Sequence, residues 1–284
     1  MLSAGEQAYI LKNAYVPEHC ISLITCVSGS EPFLVDDFFV CHKDNWVIVI
    51  GYPLDDRFTA KKLEAVVAKI KKKFSPAFIS LVAPELPPSF ASTCQEKETD
   101  VYYTLQTQKP VIGSALKRNL KKARRELRVE SSSRMHEAHQ QLMQEFIRRV
   151  KPPDRVKRLL FKMPEFVSGA DKAFVLNAWD SENNLSGFYV VDIEAQPFSN
   201  YIIGCHSKKN YILGASDLLL FELINLSREC GKNYIHLGLG VNAGVRRFKE
   251  KWGGVPIRRY EMCELVFKKP SIFETILSLP KLSH

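Results

Sequence analysis

No apolar run in this sequence approaches the roughly 20 residues that a bilayer-spanning helix needs. The densest runs, Trp46–Ile50 and residues 218–220, are far shorter. Residues 1–10 lack a basic start followed by an apolar segment and a small-residue cleavage site, so no signal peptide is expected. A Gly-x-Ser-x-Gly elbow, a phosphate loop of the Gly-Lys-Ser/Thr type and a His-Glu-x-x-His pair are all missing, which removes the main sequence support for a hydrolase or a nucleotide triphosphatase. The seven cysteines are odd in number and irregularly spaced. They read as reduced, mostly buried thiols of a cytoplasmic protein. Three of them, Cys20, Cys41 and Cys205, adjoin His19, His42 and His206. Neighbouring residues on a strand point to opposite faces, so these pairs do not chelate one ion and no metal is expected.

The 284 residues suffice for two domains, and 45% hydrophobic with 25% charged residues supply real cores. A formal net charge of +9 points to an acidic partner: nucleic acid, a phosphorylated cofactor or an anionic lipid surface.

Periodicity predicts strands at residues 20–27, 38–41, 46–51, 78–82 and 101–105. It also predicts a helix capped by Thr59 that buries Leu63, Val66, Val67 and Ile70 and stops before Pro76. The layout recurs later, with strands at 173–179, 187–193, 201–205 and 234–237 and a helix at about 217–230. This gives an α/β (α+β) fold of two domains, 1–108 and 109–284, each a mostly antiparallel sheet flanked by helices, joined near residues 108–113. A helix over 114–128 carries the stripe Leu116, Leu120, Ala123 and Leu127 under a basic face that includes Lys117, Lys121, Arg124 and Arg125. That face is either solvated charge or a guide for phosphate or RNA. Residues 136–150 form another helix with Ala138, Leu142 and Phe146 inward, and residues 271–279 a short apolar one. Oligomeric state is left open.

Two segments carry candidate chemistry. Tyr211, Gly214, Ala215, Ser216 and Asp217 join a strand to an apolar helix, with Gly214 allowing a close turn and Ser216 as its cap, leaving amides for an oxyanion. The second segment follows the strand at 234–237, where a Gly-Leu-Gly turn and Asn242 lead into a basic helix. Its residues 244–254 read Gly-Val-Arg-Arg-Phe-Lys-Glu-Lys-Trp-Gly-Gly. Asn242 is a natural cap for that helix, and Phe248 a packing residue. His206, Asp192 and His236 are the available general bases.

This order of strand, Gly-Ala-Ser loop, apolar helix, strand, Gly-x-Gly turn and Phe-Lys helix resembles the GNAT acyltransferase superfamily. The stretch 244–253 is similar to the closing Gly-(Leu/Val)-x-x-Phe-Lys-x-x-(Phe/Trp)-Gly of its Fem-type branch. The likeness spans roughly residues 114–267 and implies tandem GNAT-like domains, the first degenerate. It implies an N-acyltransferase that moves an acyl group from acyl-CoA, such as acetyl-CoA, to a small-molecule or peptide amine. Lys249 and His206 would be catalytic, Tyr211, Gly214, Ala215, Ser216 and Asp217 would hold the cofactor, and Asn242, Arg246, Arg247, Lys251 and Trp252 would meet substrate. Tyr211 stands where the CoA-binding pattern has Arg or Gln, with Lys208 and Lys209 nearby. Fem-type proteins take the acyl group from aminoacyl-tRNA, which makes tRNA the alternative partner. A non-catalytic binding protein on the same fold is the third reading.

Overall fold

A computed structural model describes residues 1–90, 92–108, 110 and 112–267; the apolar helix expected at 271–279 lies outside them. The elements run α1 (Ala4–Lys12), α2 (Ile21–Ser28), β1 (Glu31–Val35), β2 (Phe38–Lys43), β3 (Trp46–Ile50), α3 (Ala60–Phe74), β4 (Phe78–Ala83) and β5 (Cys94–Gln106). They continue with α4 (Ser114–Glu126), β6 (Arg128–Ser132), α5 (Glu137–Val150), α6 (Asp154–Gly169), β7 (Ala173–Trp179) and β8 (Leu185–Asp192). The last are β9 (Phe198–His206), α7 (Ala215–Glu229), β10 (Tyr234–Leu239), α8 (Ala243–Lys251) and β11 (Val255–Val266). None of these helices is long and apolar enough to cross a membrane.

Two compact units emerge, both discontinuous: Met1–Leu2, Ser30–Thr99 and the described residues from Arg259 on, and Ser3–Gly29 with Asp100–Arg258. The linear division at 108/109 cuts the chain differently, because α1 and α2 pack with the later residues and the C-terminal strand returns to the earlier ones. In the first unit the strands lie in the order β1-β2-β3-β4-β11, with β3 and β4 parallel and the other pairs antiparallel. Thr59 accepts from Lys62 N as N-cap of α3, whose Leu63, Val66, Val67 and Ile70 fill the core against Val47, Val49, Ile79 and Leu81. Cys94 and Cys263 form a disulfide in this unit. That corrects the reading of all seven cysteines as thiols; Cys20, Cys41 and Cys205 are free and buried, while Cys230 is free and exposed.

The second unit orders its strands β5-β10-β9-β8-β7-β6, antiparallel except for β9 and β10. Alternation along β8 separates two faces. Tyr189 and Val191 join Leu120, Ala123, Leu219 and Leu223 from α4 and α7, whereas Phe188 and Val190 join Leu23, Leu142, Met163 and Phe166 from α2, α5 and α6. The stripe expected on α4 is buried as the spacing required. Residues 20–27, expected as a strand, are α2 instead, ended by Gly29 at φ 64. In a short Ile/Leu/Val-rich run, burial against α6 outweighs β-propensity.

Candidate active site

β9 and β10 pair only at Phe198–Asn200 and Tyr234–His236, yet β9 continues to His206 and β10 to Leu239. Two irregularities part them. Val190 faces Ile203 and Val191 faces Tyr201, leaving Ile202 as an extra residue in β9. On β10, His236 faces Thr104 but Leu239 faces Tyr102, and Gly238 between them has φ 72, a conformation suited to glycine. Bulges bend a strand and unpair its backbone locally. Beyond Asn200 no ladder pairing joins β9 to β10.

A carboxylate holds the turn that follows β10. Asp100 accepts from Gly240 N (3.1 Å), Val241 N (2.8 Å) and Val101 N (2.7 Å). Any side chain at Gly240 would meet Asp100 Oδ1 at 2.8 Å. Val241 sits at φ 56, a rare and strained state for a β-branched residue that costs roughly 1–3 kcal/mol and persists where the surroundings dictate it. Asn242 then caps α8, its Oδ1 accepting from Val245 N at 3.0 Å. This cap accounts for Asn242 without a substrate.

Lys249 is buried, although its helix looks amphipathic and basic in sequence. Its ammonium donates to Leu239 O at the end of β10 and stands 5.5 Å from the Tyr103 ring centroid. Burial lowers its pKa to about 8, with Asp100 acting in the other direction. Two glycines permit this seat. Gly253, at φ 84, ends the helix, and a Cβ on Gly254 would strike Lys249 O at 2.8 Å. Phe248 packs against the α7-side core as expected.

The loop before α7 differs from expectation in its cap. Gly214 at φ 91 is the N-cap, Ser216 already lies within the helix, and no side chain caps it. A Cβ on Gly214 would press on Ala123 of α4 at 3.2 Å, so glycine meets both conformation and packing here. Ala215 is buried, and Tyr189 donates to Ser216 O at 2.8 Å. Asp217 is engaged within the protein: its Oδ1 accepts from Trp252 Nε1 (3.0 Å) and pairs with Lys251. Trp252 is fully buried, so the substrate contact expected of it is replaced by a packing role, and Lys251 is held as an ion-pair partner.

The remaining candidates are spread out. Tyr211 is half exposed, and its ring lies edge-on to His206 at 5.8 Å. His206 ends β9, and burial first, then Arg149, hold its pKa below the ordinary value, so it is neutral and able to accept a proton near pH 7. No direct contact links it to Lys249. Glu145 of α5 accepts from Lys208 N (2.6 Å) and Ser207 Oγ (3.3 Å), bracing the same loop with a negative charge. Arg246 and Arg247 are exposed on α8. His236 is fully buried, with its pKa pushed down to about 3 by burial and by Lys249, so it stays neutral. Its Nδ1 accepts from Gly238 N, a structural task in the bulge.

Sequence reasoning missed Asp100 and also a cluster on the α2 side, where Cys20, Asp192 and Glu194 bring potential ligand atoms within 4.8 Å of one another. Asp192, weighed above as a base, belongs to this cluster. Burial raises its pKa from 3.8 to about 6. A carboxyl whose folded pKa is raised burdens the fold when ionised; that burden is complete above about pH 6 and disappears as pH falls through the unfolded value. Asp192→Asn is accordingly expected to stabilise the protein at pH 8 by up to about 3 kcal/mol and by much less near pH 4. Thermal melts of both proteins at the two pH values check this, and an equal difference at both refutes it.

No protein-family model and no curated protein sequence matches the chain. Solved structures do. The C-terminal domain of a putative lysylphosphatidylglycerol synthetase from Agrobacterium fabrum superposes over 91% of this chain and 90% of its own, at 13% identity and TM-score 0.58. FemX covers 92% and 96% at 10% identity and TM-score 0.59. A tandem GNAT protein from the clavulanic acid biosynthesis pathway covers 82% and 79% at 12% identity and TM-score 0.50. With strands that part beside a glycine-capped helix and a chain path common to these proteins, the chain has the GNAT fold in the form it shares with FemX.

Proposed function

We infer that the protein is an acyltransferase whose reaction takes place where β9 and β10 part. The observation that carries this is Lys249: a lysine ammonium, buried at a cost to stability, donates to Leu239 O at the end of β10, past the point where β10 pairs with β9. Its role would be to meet the charge that develops on the acyl carbonyl oxygen as a neutral amine attacks, together with backbone amides of β9 freed from the β10 ladder. The amine's proton would pass to solvent or to His206. Asp100 would keep the turn and the ammonium in register.

For the donor, an aminoacyl ester of tRNA has more support than acyl-CoA. Tyr211 supplies neither the cation nor the amide of the CoA pattern, and Glu145 puts a carboxylate into the loop that would receive a pyrophosphate. FemX and the synthetase are the relatives in fold that point towards aminoacyl transfer. The exposed cations of α4 suit an RNA backbone. One observation favours acetyl-CoA as a second reading: α7 begins without a side-chain cap, so its first amides are available to an anion.

Thermal shifts with acetyl-CoA, uncharged tRNA and aminoacyl-tRNA, followed by transfer of labelled acyl group to an amine, test the reading. The expected result is stabilisation by tRNA that weakens steeply with salt, and transfer from the charged form only. Stabilisation and transfer with acetyl-CoA alone would establish the second reading. Binding without transfer from either donor would leave a non-catalytic binding protein.

A further inference from the structure

We propose that the open end of the gap between β9 and β10 is a docking surface for an anionic lipid bilayer. Because these strands are parallel, the loops that follow them leave the sheet at the same end. Both loops expose apolar side chains there: Tyr211 is 50% and Leu213 53% exposed after β9, and Val241 is 69% exposed after β10. Cations flank them. Lys208 and Lys209 precede Tyr211 in the first loop, and Arg246 and Arg247 follow Val241 on α8. All four are exposed, and none is in an ion pair among the described residues. Four carboxylates lie in or against these segments: Asp100 holds the turn amides, Asp217 is engaged by Lys251 and Trp252, Glu145 by Lys208 N and Arg149, and Glu250, exposed on α8, accepts from Tyr103 Oη.

Apolar tips within a basic surround are what an anionic membrane surface accepts, with the side chains entering the headgroup and acyl boundary while cations stay at the phosphates. RNA would also satisfy the cations and could stack on Tyr211, but Leu213 and Val241 give it neither a stacking plane nor a hydrogen bond. Val241 strengthens the case because its presentation is enforced. Asp100 holds its N–H, and the residue stays at φ 56 with its isopropyl group in solvent. The net charge of +9 acts in the same direction. This surface is independent of which acyl donor is used.

Co-sedimentation of the full chain with phosphatidylcholine vesicles, with and without phosphatidylglycerol, tests the proposal without any transfer assay. Binding about tenfold tighter or more to the anionic vesicles is expected, weakened by salt. The double variant Leu213→Asp, Val241→Asp is expected to lose at least about tenfold of that binding with an unchanged melting temperature. Should the Val241 change lower the melting temperature, Leu213→Asp alone and Lys208→Glu with Lys209→Glu carry the same expectation from a loop that tolerates charge. Equal binding to both vesicle types, undiminished binding by these variants, or binding to tRNA with none to vesicles would overturn it.

Discussion

Lys249→Met is expected to lower acyl transfer by about 10²–10³-fold while leaving the protein as stable as the parent or more so. The two effects have one cause. Holding an ammonium at a pKa of about 8 in the fold, against 10.5 for the free side chain, burdens the native state by about 3 kcal/mol near neutral pH. The hydrogen bond to Leu239 O favours the charged form, and its contribution is already contained in that net figure. Methionine has a similar reach without the charge. Because the folded pKa is depressed, the burden is fully present below about pH 8 and fades as pH rises towards 10.5. The parent should therefore gain on the variant over that interval. Melting temperatures at pH 7 and pH 10, beside initial transfer rates, check both halves. A variant as active as the parent would remove the lysine from the chemistry, and one that is unfolded at pH 7 would mean that its hydrogen bond outweighs its desolvation.

Trp252→Ala is expected to produce the largest loss of stability among single substitutions in the second unit, roughly 3–5 kcal/mol. The indole is wholly buried, in one core with Leu219, Leu223 and Leu237, and its N–H reaches Asp217. Removing it opens a cavity between α7 and α8 and withdraws one of the two donors that compensate a buried carboxylate. Trp252→Phe should recover most of the packing and none of the hydrogen bond, falling between the two. Urea denaturation of the three proteins gives the ranking; a Phe variant no better than Ala would shift the weight from packing to the indole–carboxylate bond.

What the residues disclose by themselves depends on how local the cause is. The Thr59 cap and the apolar stripes of α3 and α4 are settled within a few helical turns, and periodicity finds them. The glycines of residues 244–254 mark the end of α8 for the same reason. α2 was beyond periodicity, since eight residues rich in Ile, Leu and Val suit either a strand or a buried helix. α6 was missed although Leu160, Met163, Phe166 and Val167 are buried on it, because its basic residues and Pro164 draw attention to charge. The site divides similarly. Lys249 is visible in the Phe-Lys pair, but its burial depends on Leu239 and Tyr103, which the spacing does not bring to it. Asp100 lies 140 residues before Gly240, and no spacing rule joins them. Asp217 and Trp252 are 35 apart, so the use of both within the protein's own packing, rather than on a ligand, appears only when α7 and α8 meet.

The return of β11 to the edge of β4 has a consequence for biosynthesis. Residues 30–99 emerge from the ribosome long before residues 259–266, so the nascent first unit must wait with β4 unpaired on that side while the intervening polypeptide is made. An unpaired, Val- and Leu-bearing strand edge invites association with other chains. Translation arrest or proteolytic clipping shortly before Arg259 would thus release an adhesive fragment, and holdase chaperones would be needed most in that interval.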